Sequence, residues 1–266
     1  MKQAKRSLLC IAGFDPTAGA GILVDSAVFR ALGFHPLAVL SSVTAQGNAG
    51  VQQIKALPKT LIKRQLSILF DEFQPEAVKI GMLYSEAAAR VVADFLHGKN
   101  VPVVVDPVLR ASSGGFLARG SLLPMMEKRI FPKGRIITPN LAEAGHFLGW
   151  EISGLRAAER AAVELQIRWG CAVLLKGGHL SGEPVDVFAD LEGCETFKHP
   201  RFHQGSTIRG TGCALSAAIA AGLADRLTTR EAVLGGIEFV QEAIERATPD
   251  SVFAQIRFLD FPSKPR

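Results

Sequence analysis

What most restricts the fold of this chain is a repeated alternation. Short continuous aliphatic runs are each followed by a stretch whose apolar residues recur every three or four positions. The runs cover residues 8–12, 37–41, 77–81, 101–105, 136–138 and 172–176. They are apolar at consecutive positions rather than at every second one, which suits strands of a parallel sheet covered on both faces. The stretches between them, such as residues 58–73, 86–96 and 156–169, have helical periodicity. Strand and helix in turn give an α/β sandwich. No Pro/Gly/Ser linker and no internal repeat interrupts the pattern, so one domain over residues 1–266 is expected.

After Lys176 the pattern changes. Residues 185–189 and 195–198, separated by Gly193, read as an antiparallel pair at the sheet edge. Thr228 and Glu231 form a capping box that opens a long helix through Ala247. With 48% hydrophobic but only 7% aromatic residues, the core must be aliphatic and alanine-rich.

Composition also narrows the functional classes. Four cysteines, Cys10, Cys171, Cys194 and Cys213, with no CxxC spacing, are too few for a disulfide scaffold and point to a reducing cytoplasm. Residues 1–14 faintly imitate a signal peptide, but the apolar run is short and leads into Asp15-Pro16. No stretch is long enough for a spanning helix, so no membrane partner is expected. The net charge of +5 is scattered, and one Tyr and two Trp leave little for base stacking, so nucleic acid is not an expected partner. A modest positive field suits a small anionic substrate.

Polar residues gather where the strands end: Gly13 and Asp15, Thr44 and Gln46, Gly81 and Met82, Asp106, Asn140 and Glu143, and residues 176–179. In open α/β sheets ligands bind beyond those carboxyl ends. Turns and helix caps ask for the same residue types, so each alone reads first as structural, and it is their convergence on one edge that favours a ligand site. The segment Gly210-Thr211-Gly212-Cys213 before an Ala-rich apolar run is the most informative. Glycines admit an anion close to the backbone, and the helix N-terminus offers free N–H groups to a phosphate. Cys213 falls in the first turn, where a thiol is expected to ionise more easily and to serve as a base. Close packing and a buried apolar cysteine explain the same residues equally well.

The glycine-rich turn at residues 13–21 lacks the dinucleotide fingerprint, and no P-loop spacing occurs. Asn140 and Glu143 suit either a magnesium water shell or a helix cap. Asp106 closes an apolar strand as a turn residue or a metal-facing group, and Lys176 ends another strand, within reach of nucleotide phosphates. Cys194, His199 and His203 are read as solvated hairpin residues, since Pro200 breaks any helix carrying both histidines and no fourth zinc ligand is evident.

Taken together, AGFDPTAGAG at 12–21, VTAQ at 43–46, VKIGML at 78–83, VVVDPV at 103–108, ITPNLAEA at 137–144, LLKGGH at 174–179 and GTGC at 210–213 resemble the ribokinase superfamily. The branch most similar is that of the hydroxymethylpyrimidine and phosphomethylpyrimidine kinases of thiamine biosynthesis. The resemblance implies one three-layer α/β/α domain with a mostly parallel sheet. It also implies transfer of the γ-phosphoryl group of ATP, with Mg2+, to the hydroxymethyl group of 4-amino-5-hydroxymethyl-2-methylpyrimidine or to its monophosphate.

On this sequence, Gly210, Thr211, Gly212 and the Cys213 amide would form the anion hole, with the Cys213 side chain as base. Asp106 and Glu143 would serve magnesium, and Lys176, Asn140, Thr211 and Arg209 the nucleotide. Gln46 would read the aminopyrimidine edge. Asp25 and Gly13 would touch the polar groups of the substrate, and Met82 and Val108 its ring faces. A cytoplasmic homodimer is the expected form. The alternatives are a pyridoxal or pyridoxine kinase of the same superfamily and a non-catalytic pyrimidine-binding regulator. The second is motivated by departures from the family pattern: Leu23 for Gln, Ala27 and Ser112 for lysines, and Arg209 for His.

Overall fold

The computed structural model describes residues 6–109, 121–178, 184–200, 202, 207–249 and 256–262. The chain runs β1 (Ser7–Phe14), α1 (Gly21–Ala31), β2 (His35–Gly47), β3 (Gly50–Ala56), α2 (Lys59–Glu72), β4 (Val78–Ile80), α3 (Glu86–Leu96) and β5 (Val103–Val105). It continues through α4 (Leu122–Met125), β6 (Ile136–Ile137), α5 (Leu141–Leu148), α6 (Leu155–Trp169), β7 (Ala172–Leu175), β8 (Val185–Ala189) and β9 (Cys194–Lys198). The last elements are β10 (Thr207–Arg209), α7 (Thr211–Ala224), α8 (Thr229–Glu245), β11 (Thr248–Pro249) and β12 (Ile256–Phe258).

The main sheet has the order β3-β2-β1-β4-β5-β6-β7-β8-β9. Pairing is parallel from β2 through β7, and the flanking β3, β8 and β9 are antiparallel. Side chains alternate across it, and β1 shows the consequence. Leu9 and Ile11 join the core under α2, α3, α5 and α6, while Leu8, Cys10 and Ala12 join the core under α1, α7 and α8. A sheet buried on both sides explains why the strands read as continuous apolar runs. It also removes the signal-peptide imitation, because residues 8–12 form a fully buried central strand.

Two features depart from the expected layout. Thr44 and Gln46 do not follow the end of β2; they lie within it, because β2 continues past the sheet as a hairpin arm paired with β3, Ser42 opposite Ala56 and Gly47 opposite Gly50. In addition, β10, β12 and β11 form a separate small sheet, with Arg209 opposite Phe258. Among the described residues no helix is long and apolar enough to cross a membrane.

Candidate active site

α7 begins at the carboxyl edge of the sheet. Its first residues leave three backbone amides, of Thr211, Gly212 and Cys213, ahead of the first intrahelical bond, from the Ala214 N–H to the Gly210 carbonyl. Gly210 caps the helix with a φ of 84°, a left-handed conformation that glycine adopts without penalty. A Cβ there would also lie 2.9 Å from the Gly19 carbonyl oxygen. Gly210→Ala is therefore expected to tilt the three amides and lower kcat about tenfold, by the sensitivity of such chemistry to sub-ångström misplacement. Steady-state kinetics with a folded variant checks this.

Beneath the glycines sits an ion pair. A Cβ on Gly212 would stand 3.2 Å from Lys176 Nζ and 4.0 Å from Asp106 Oδ2. Lys176 Nζ donates to Asp106 Oδ1 at 2.7 Å, and Thr138 and Ser216 hydroxyls lie 3.4 and 3.5 Å from the same carboxylate. Burial by itself would raise the Asp106 pKa, but the charges of Lys176 and Lys79 outweigh it and hold the carboxyl below its usual range. For Lys176, burial works against the charge, and Asp106 and Glu143 overcome it, so its pKa stays raised.

Asn140 and Glu143 realise the helix-cap alternative. Asn140 Oδ1 accepts the Glu143 N–H at 2.9 Å and Glu143 Oε2 accepts the Asn140 N–H at 2.8 Å, a capping box on α5. Glu143 Oε1 accepts the Leu109 N–H at 3.3 Å. Burial lifts this carboxyl to about 7, against the pull of Lys176. The cap does not remove Glu143 from the site, since Lys176 and Asp106 are close enough to act on its charge.

Cys213 lies half-buried in the first turn of α7, and the Gly21 N–H donates toward its sulfur. The expectation of an easily ionised thiol is corrected here. Burial pushes the thiol up to about 11, because desolvation of a thiolate exceeds what Lys79 gives back, and Asp25 and Asp106 add repulsion.

Asp25 also differs from expectation. It was expected to meet the substrate, yet it is fully buried with both oxygens on Lys79 Nζ, at 2.8 and 2.9 Å. Burial raises the Asp25 pKa to about 6 while Lys79 opposes the rise. Lys79 is the residue that reading of the sequence missed. A lysine in the middle of a buried strand demands a carboxylate partner, and an aspartate on the apolar face of α1 was the available signal.

On the other side of Cys213, the β1 bulge between Ala12 and Gly13 meets Met82. A Cβ on Gly13 would fall 2.3 Å from Met82 Cε. Met82 and Val108 follow the adjacent strands β4 and β5 and are both half-buried. Gln46 Nε2 donates to Asp15 Oδ2 at 3.0 Å. Arg209, expected at the nucleotide phosphates, turns the other way: Nη1 donates to the Gly47 carbonyl at 3.3 Å and to Asn48 Oδ1 at 3.4 Å, and Nη2 lies 3.6 Å from Asp15 Oδ2. The β2–β3 arm offers these acceptors on the side of Gln46.

Ser112, His179 and His203 lie outside the described residues. His199 pairs with Gln241 and Asp186, and Cys194 is exposed, so the zinc-like spacing has a structural explanation. Among the described residues no three His, Cys, Asp or Glu side chains converge as a metal site.

A family described as phosphomethylpyrimidine kinase matches residues 15–252. A hydroxymethylpyrimidine/phosphomethylpyrimidine kinase of Streptomyces coelicolor is 37% identical over 91% of this chain and 90% of its own length. The thiamine biosynthesis bifunctional protein ThiED of Geobacter sulfurreducens is 36% identical over 91% of this chain and 50% of its own length. The crystal structure of phosphomethylpyrimidine kinase from Clostridium difficile is 34% identical, with a TM-score of 0.79 over 90% of this chain and all of the other. Pyridoxal kinase from Staphylococcus aureus, solved with AMP-PCP and pyridoxal, is 27% identical, with a TM-score of 0.88 over 99% of this chain and 96% of the other.

Proposed function

The chain belongs to the phosphomethylpyrimidine kinase family, and on that premise we propose that it transfers the γ-phosphoryl group of ATP to the hydroxymethyl group of 4-amino-5-hydroxymethyl-2-methylpyrimidine and to the resulting monophosphate, in thiamine biosynthesis. The observation that carries this reading is the convergence of Gly212 with the Lys176–Asp106 pair at the foot of α7.

In this reading the Thr211, Gly212 and Cys213 amides stabilise charge developing on the transferring phosphoryl group. Lys176 neutralises nucleotide phosphate charge, and Thr211 and Asn140 line the same side. The ring lies between Met82 and Val108, above Gly13, with its amino edge on Gln46. The thiolate form of Cys213, a minor fraction near neutrality, takes the proton as the hydroxymethyl oxygen bonds to the γ-phosphorus and the bond to the leaving ADP oxygen breaks. Asp106 and Glu143, hard oxygen donors at the cradle, fit Mg2+ held through its water shell. When bound, that ion supplies neutralisation of the β- and γ-phosphate oxygens.

The 266 residues act in this reading as one kinase domain. A homodimer and a cytoplasmic location complete it, the second supported by four free cysteines.

The test is incubation of the purified protein with ATP, Mg2+ and the pyrimidine alcohol, with products weighed by mass spectrometry. One and then a second phosphoryl mass are expected. A product only from pyridoxal would favour the second reading, to which the S. aureus likeness lends support. Binding of pyrimidine in a calorimeter without ATP consumption would identify a non-catalytic binder.

A further inference from the structure

Resting on the reading that Gln46 recognises the ring, we propose that Asp15 and Arg209 fix the direction of the Gln46 amide. They thereby make the protein select a ring bearing an amino group over one bearing an oxo group at the same edge.

A glutamine amide offers a donor at one end and an acceptor at the other, in nearly the same shape. A freely turning Gln46 would serve an amino ring or an oxo ring by rotating half a turn. The surroundings of this amide forbid the rotation. Nε2 donates to Asp15 Oδ2 at 3.0 Å, and a carboxylate only accepts, so a turned amide would set oxygen against oxygen. Thr44 Oγ1 lies 3.4 Å from Gln46 Oε1, but its single proton has a nearer acceptor in the Phe14 carbonyl at 2.9 Å. The lone pairs of Oε1 are thus left to a ligand, beside the second N–H of Nε2. That pattern asks for an amino donor next to a ring-nitrogen acceptor.

Arg209 holds the arrangement in place. Asp15 is 3% exposed, with Oδ1 accepting from the Thr17 N–H and hydroxyl at 2.9 and 2.8 Å. Its negative charge is compensated by Arg209 Nη2 at 3.6 Å from Oδ2. The same guanidinium grips Gly47 and Asn48, immediately after Gln46. Arg209 is itself 4% exposed, and its Nε and Nη2 have no hydrogen-bond acceptor among the described residues. Buried donors left unsatisfied destabilise a fold, so this guanidinium acts here through its charge rather than through saturated bonding. Gly19 makes the room, because a Cβ there would sit 2.9 Å from Arg209 Nε. Asp15 and Arg209 are positioning residues that act through Gln46.

The experiment compares kcat/KM for the 4-amino pyrimidine alcohol, the same alcohol with a 4-oxo group, and pyridoxal, in the wild type and in four variants whose folding is followed by thermal melts. The wild type should favour the amino ring over the oxo ring. In Asp15→Asn the neighbour can donate as well as accept, so the preference should fall about tenfold, the size of one well-made hydrogen bond. Arg209→Gln should move the ratio the same way, Gly19→Ala should do so more weakly by displacing the guanidinium, and Arg209→Lys should keep the charge and most of the preference.

Equal losses on both pyrimidines, with the ratio unchanged, would assign Asp15 and Arg209 a purely structural part and overturn the inference. If Asp15→Asn does not fold, an unchanged ratio in the folded Arg209→Gln and Gly19→Ala proteins overturns it equally. A wild type that phosphorylates pyridoxal alone would remove the pyrimidine reading and the inference with it, whereas turnover of the amino ring without a ratio shift removes the inference only.

Discussion

Cys213→Ala is expected to lower kcat by about 10²–10⁴-fold, the usual contribution of a positioned general base, while the pyrimidine Kd stays within about threefold. The separation arises because a methyl group fills the first turn of α7 without disturbing the amides, so the cradle persists and only the proton acceptor is lost. The pH profile makes the expectation sharper. With the thiol pushed up to about 11, only a small fraction is thiolate near neutrality, and that fraction grows with pH. If the thiolate is the base, the wild-type kcat therefore climbs on the alkaline side, and this climb is absent in Cys213→Ala. A variant that keeps both the rate and the alkaline climb would remove the proton-acceptor role and leave the three amides as the source of catalysis. Rapid-quench measurement of the first turnover separates the chemical step from product release.

The second large effect is on stability. Lys79→Met should destabilise the protein by about 3–5 kcal/mol, because Asp25 would remain as a buried charge without a partner. In a domain of this size that corresponds to a drop of about 10 °C in Tm. The informative control is Lys79→Met combined with Asp25→Leu, which removes both charges and fills the space with apolar groups. This double variant should recover most of the loss, since a buried pair replaced as a unit is often neutral or stabilising. Thermal melts of the two variants decide the matter, and a double variant as unstable as the single one would show that the pair is required for the fold itself. Lys79 draws the Cys213 thiol downward and Asp25 pushes it up, so Lys79→Met alone should move the alkaline rise in kcat to higher pH, while the double variant, which removes both opposing charges, should move it less.

Much of this architecture was legible from the chain alone, for a physical reason. Strands covered on both faces must be continuously apolar, and runs such as residues 8–12 and 172–176 have no other comfortable place. Helix signals at Thr228 and Glu231 are local and were likewise readable, and they appear as a capping box on α8. The β2–β3 arm was not readable, because Thr44 to Ala56 extends past the pairing with β1 and has no fully buried residue to impose a pattern. The small sheet escaped for another reason: its strands are two or three residues long, too short for any periodicity.

The site divides in the same way. Asp106, Asn140 and Lys176, which follow strand ends, lie close together because topology brings strand ends to one edge. Side-chain direction was not recoverable. Lys79 and Asp25 are 54 positions apart and meet only once α1 lies against the sheet. Arg209 meets the Asp15 carboxylate and the Gly47 carbonyl because the fold brings the turn after β1 and the unforeseen arm beside β10. The sign of the Cys213 shift failed because a helix terminus is visible in sequence while the depth of burial is not.

The pairing of β10 with β12 ties the start of α7 to a segment far along the chain. The strand that delivers Gly210 to the cradle is held in parallel register by Ile256–Phe258, almost at the far end of the described chain. The glycine-rich turn at the start of α7 is therefore braced by a contact remote in sequence, the kind whose loop-closure entropy must be spent before the contact rewards it.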